Sequence, residues 1–180
     1  MKGKVLLGLL ISFSSFFAHT PSVHSEPADI FKPVVDDIKQ QIPSGLSMRL
    51  PSYIPPSDTP MYPFVEADEK GLRVNIGIKP DCASSASPNS CIIGAIAAVA
   101  PKAVKNWPPK GDNRQQVNLD NGVSGFFFTR GKGEAKLNYV AWEQDKQTFG
   151  IVALAQVASQ KELLDIAKSM TGEEAINSEQ

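Results

Sequence analysis

Few residues in this chain can do chemistry. Both of its cysteines, Cys82 and Cys91, stand in "PDCASSASPNSC", separated only by small, polar and turn-forming residues. Two such thiols can ligate a metal, cycle electrons or close a structural bridge, and each use belongs to a different compartment. The only histidines, His19 and His24, lie in the opening stretch "MKGKVLLGLLISFSSFFAHTPSVHS". Lys2 and Lys4 precede an apolar run from Val5 to Ala18, and small polar residues follow it, which is the form of a signal peptide. The run falls short of the roughly 20 apolar residues that a membrane-spanning helix needs. Val23 and Ser25 occupy the small-residue positions before a cut, so residues 1–25 are expected to be removed and the mature chain to start at Glu26 with no transmembrane anchor. Neither cysteine lies near that cut to carry a lipid.

Cleavage would remove both histidines, and with them Ser-His-Asp and Cys-His triads, histidine-ligated zinc and the commonest general base at neutral pH. In an oxidising compartment the two thiols are expected to pair as a structural disulfide, Cys82–Cys91. A redox pair would call for closer spacing near a helix start, and a metal site would call for two more soft ligands. No metal and no cofactor is therefore expected. Losing residues 1–25 also removes two lysines and no acid, so 18 basic and 19 acidic side chains become 16 and 19, a net charge of −3. Phosphate backbones demand a basic excess, and nucleic acid is not an expected partner.

Two clusters remain. Glu66, Asp68 and Glu69 sit together near a turn, with Glu66 and Asp68 on one face of a strand. Paired carboxylates can hold calcium or serve as acid and base, but a solvated strand face needs no such role, and the spacing lacks the glycine and distant glutamate of an EF-hand loop. The second cluster is "PKAVKNWPPKGDNR", where Lys105, Lys110 and Arg114 surround Trp107 and two prolines. Prolines could hold the indole out beside positive charge as a grip for a glycan, a peptide or an anionic surface. The competing reading folds Trp107 back as a lid on the core, and it is the favoured one. Trp142, in the middle of a strand pattern, reads as core.

The elements that must position these residues are legible from periodicity. "DIFKPVVDDIKQQI" spaces Ile30, Phe31, Val34, Val35, Ile38 and Ile42 as one helical stripe, predicting a helix over about 31–42 with Pro33 in its first turn. "LSMRL" reads as a strand, and the proline-rich residues after it as irregular. "FVEADEKGLRVNIGI" reads as a hairpin whose return strand alternates Leu72, Val74, Ile76 and Ile78 against Arg73, Asn75 and Gly77. Helix and strand compete for "CIIGAIAAVAP"; the expectation is a strand, so that the disulfide pins a hairpin of Leu72 to Lys79 and Ile92 to Val99. From Gln116 onward four β-rich runs separated by turns predict a meander. Phe126, Phe127 and Phe128 cannot share one face, so that strand is either covered on both sides or shows a ring to a partner. "SQKELLDIAKSM" carries Ser159 and Glu162 at capping-box spacing and predicts a helix over 160–170.

The order of a strand, "PDC", a short loop, a second cysteine, an apolar strand, "NGVSGFF", "YVAWEQDKQTFGI" and the closing helix resembles a group of uncharacterised exported proteins of cyanobacteria. More distantly, the tryptophan-bearing strand and its helix are similar to a domain of unknown function on extracytoplasmic parts of proteins from spore-forming bacteria. The likeness spans about residues 46 to 170, and the cysteine spacing here is wider than the group's. It implies a fold and a compartment and no activity.

The expected architecture is one α+β domain, residues 26–172: a mainly antiparallel sheet, a meander with a disulfide-clamped hairpin, packed by an N-terminal and a C-terminal amphipathic helix. Residues 173–180 are expected to fray. The expected function is an exported, non-catalytic binding or accessory domain of the periplasm or cell exterior, acting on an unknown envelope component: protein, glycan or anionic surface. The alternative is a carboxylate-dependent hydrolase of envelope polysaccharide.

Overall fold

The computed structural model describes residues 26–87, 90–104 and 107–178, apart from the side chain of Lys102; the signal-peptide segment 1–25 lies outside the described residues. Seven strands form one sheet: β2 (Tyr62–Asp68), β3 (Gly71–Gly77), β4 (Ile92–Val99), β5 (Asp112–Asn118), β6 (Ser124–Arg130), β7 (Leu137–Gln144) and β8 (Gln147–Leu154). Their spatial order is β2-β3-β4-β8-β7-β6-β5, antiparallel throughout, so β5 to β8 form the meander. "CIIGAIAAVAP" is the strand β4, Ile92–Val99, where Ile92, Ile93, Ile96 and Val99 favour the strand. Turn chemistry sets the registers. Asp68 Oδ1 accepts from the backbone N–H groups of Lys70 and Gly71 at 2.8 and 3.1 Å, closing β2 onto β3. Asp145 and Lys146 both take positive φ, 53° and 63°, the backbone of a type I′ turn between β7 and β8.

Alternation gives the sheet two faces. The inner one carries Leu72, Val74, Ile96, Ala98, Phe127, Val140, Trp142, Phe149 and Ile151, which form one buried cluster with Phe31, Val34, Ile38, Leu163, Ala167 and Met170. The N-terminal helical segment begins as a 3-10 turn, Asp29–Val34, and becomes α-helical only as α1, Val35–Gln41. Pro33 has no N–H to donate, so regular α hydrogen bonding starts after it. Helix α2, Gln160–Thr171, starts at the capping box that the spacing predicts: Ser159 accepts from the Glu162 backbone while the Glu162 carboxylate accepts from the Ser159 N–H at 2.8 Å.

Two expectations need correction. "LSMRL" contributes only β1, Ser47–Met48, and does not join the main sheet. Gln147 takes the place of a neighbouring strand: its Oε1 accepts from Ser47 N–H at 3.1 Å, and its Nε2 donates to the Ser47 carbonyl at 2.9 Å. Nor is the tail simply frayed. Ile176–Asn177 forms β9, paired antiparallel with β1, while residues 179 and 180 lie outside the described residues. Arg49 secures this corner, donating to the Glu173 carbonyl and to Asp145 Oδ2.

The cysteines pair, Cys82 to Cys91, and clamp β3 to β4 at the mouth of their connecting loop. Gly77 is needed there, because a Cβ on it would come within 2.7 Å of Cys82 Cβ.

Candidate functional site

Strands β4 and β5 run parallel, and the register Ala98–Phe149–Trp142–Gly125–Val117 puts the end of β4 level with the end of β5. Residues 100–111 must therefore travel back across β8, β7 and β6 to reach the start of β5. Of the described residues, Trp107 and Gly111 lie on the outer face, over β6. Trp107 packs edge-on against Phe126, with ring centroids 5.6 Å apart, and Gly111 lies so close to Phe128 that a Cβ there would meet its ring at 2.4 Å. This resolves the Phe126–Phe128 run. Phe127 faces the inner core, and Phe126 and Phe128 lie under the crossover, so the strand is covered on both faces.

Of the four residues nominated from the sequence, two converge. Trp107 is half-buried against Phe126, and the Arg114 guanidinium stands 6.0 Å from the same ring, a cation–π distance. Lys110 is exposed and anchored through its backbone instead: its carbonyl accepts from Arg130 Nε at 3.1 Å and from a terminal Arg130 nitrogen at 2.7 Å. Lys105 lies outside the described residues. Sequence reasoning missed Arg130 altogether. Its guanidinium stands 5.3 Å from Phe128 and 5.5 Å from Tyr139, which stack on each other at 4.9 Å. The signal was present in the period of two that places 126, 128 and 130 on one face of β6. What hid it was the path of the crossover.

Of the three candidate carboxylates, Glu66 and Asp68 are engaged within the fold. Glu66 Oε2 accepts from Arg73 and from Asn75 Nδ2, both at 2.8 Å, and Asp68 closes its turn. Among the described residues no three His, Cys, Asp or Glu side chains come together as metal ligands.

The inner face holds a feature that no short-range pattern signals. Between β4, β8, α2 and the irregular residues 54–61 lies a half-open apolar cavity of about 130 Å³. Gly94, Ala153 and Ala158 leave the space, and Ile54, Pro55 and Met61 form its outer wall. Searches against family models, known proteins and solved structures find no match to this chain.

Proposed function

We propose that this chain is an exported, non-catalytic binding or accessory domain of the periplasm or cell exterior. The observation that carries it is the convergence of Trp107 and Arg114 on Phe126, an aromatic ring and a cation held at the surface by a crossover that Arg130 grips from below. Rigid aromatics beside a guanidinium suit the recognition of a glycan, a peptide or an anionic surface. The disulfide and the leader-like N-terminus support export, as does the likeness in motif order to exported cyanobacterial proteins. Both helical segments, packed on the inner face, serve as the scaffold in this reading. The alternative, a carboxylate-dependent hydrolase of envelope polysaccharide, draws no support from Glu66 or Asp68, whose oxygens already accept hydrogen bonds within the fold. Pull-down from envelope extract, beside a peptidoglycan and glycan binding screen, tests the proposal. Capture should be lost in a Trp107→Ala, Arg114→Ala double variant that still unfolds cooperatively. Equal capture by that variant refutes the surface, and polysaccharide turnover abolished by Glu66→Gln would favour the hydrolase.

A further inference from the structure

The cavity on the inner face lies on the opposite side of the sheet from Trp107, and a ligand there would bind independently of that surface. Its wall is aliphatic: isoleucine, leucine, valine, alanine, proline and methionine, with no aromatic ring among the described lining residues. Such a wall offers dispersion contacts and no stacking, which favours an alkyl chain over a planar ring. The size is also informative. A dry apolar cavity of about 150 Å³ takes up a six-carbon molecule such as benzene. Here the volume is about 130 Å³, and the cavity is half open, so a chain can enter end first and leave its head outside.

The rim limits what that head can be. Among the described residues Glu162 is the only charged one lining the cavity, held in place by its bonds to Ser159. A shallower groove shares Ile54, Pro55 and Pro56 with the cavity and is bordered by Glu26, Asp29 and Lys32. There one lysine ammonium serves both acids, at 3.3 and 2.9 Å, and the amino terminus expected at Glu26 adds a second positive charge, so this groove is close to neutral. An anionic head would meet the Glu162 carboxylate, with no cation among the described lining residues to offset it.

We infer that the cavity binds the end of an aliphatic chain of about six carbons whose head group is uncharged or cationic. The chain lies among Gly94, Ala153, Leu163 and Ile166, and the head emerges beside Ser57 and Glu162.

The test is a titration of the purified protein with n-alkyl alcohols, amines and carboxylates of increasing length, read from the backbone amide chemical shifts of Gly94, Ala153 and Leu163. Affinity for the alcohols and amines should rise about three- to fourfold per added methylene and level off near six carbons. The carboxylate of equal length should bind about fivefold more weakly than the amine. Ala153→Leu fills the cavity and should abolish the shifts. Exposed Val157, at the rim, offers a variant whose folding is not at stake: Val157→Arg should weaken the amine and strengthen the carboxylate. Shifts that ignore chain length, shifts away from these residues, binding that survives Ala153→Leu, or carboxylates that bind as well as amines would each overturn the inference. If the alkyl series fails while envelope capture still depends on Trp107, only this inference falls.

Discussion

On the inner face of the sheet Trp142, Phe149, Leu163 and Met170 are 0% exposed, and the residues that cover them come from helical stripes and a long hydrophobic cluster. On the outer face Phe126 and Phe128 are covered by an irregular crossover held by Arg130, and Gly77 is covered by a disulfide loop. One side is packed mainly by periodic apolar matching and leaves one half-open cavity, the other by a few specific contacts. The stability of the first is spread over many side chains. That of the second is concentrated in a covalent bond, one arginine and one tryptophan, and the outer face is therefore where loops can be held in a binding geometry without disturbing the core.

The contrast predicts a ranking of losses. Trp142→Ala should cost most, about 3–5 kcal/mol, because a fully buried ring stacked on Phe149 at 5.6 Å leaves a void the sheet cannot close. Removing the disulfide with Cys82→Ser and Cys91→Ser should come next, at about 2.5–3 kcal/mol from the freed loop, lowering the melting temperature without abolishing the fold. Free-thiol titration of the denatured, unreduced protein should find no reactive thiol. Trp107→Ala should cost only about 1–2 kcal/mol, the edge contact with Phe126 plus part of the ring's burial. Chemical unfolding of the three variants side by side checks the order. A Trp107 loss as large as that of Trp142 would make the crossover part of the core and end its role as a contact surface.

How much of the molecule could be read in advance obeys the same division. The Ser159–Glu162 box and the cysteine pair are written in short-range spacing, and each matches its structural counterpart; the strand β3 is there too, but its second face is not open, because Asn75 and Gly77 are buried as well as Leu72 and Val74. The β1–β9 pair is not, because its two-residue strands are tied to the main sheet by a Gln147–Ser47 contact 100 positions apart in sequence. Within the candidate site Trp107 stood out by composition. Its floor, Phe126, and its anchor, Arg130, depended on a crossover path that only the strand order reveals. The cavity was invisible for a similar reason: Ile54, Gly94, Ala153 and Leu163 come from four separate segments, none odd by itself.

The smallest expected effect sharpens the comparison from the inner side, at the start of α2. Hydrogen bonds from the Ser159 side chain and then its backbone N–H hold the Glu162 carboxyl below its ordinary value of 4.5. A carboxyl depressed in the folded state stabilises the fold at any pH above its unfolded value. That contribution begins to fade as the pH falls toward 4.5 and is gone below the lower folded value. Glu162→Gln keeps the capping geometry and loses the titration. Unfolding from pH 7 to pH 3 should therefore show the native protein more stable than the variant at neutral pH, with the gap narrowing through the acid range. The effect should be modest, since the carboxylate is exposed to solvent and screened. Parallel pH profiles for the two proteins would mean that the cap's charge adds nothing to its hydrogen bonds. The cap would then act on the inner side through its hydrogen bonds and not its charge, and the contrast with the arginine-anchored outer face would be sharper still.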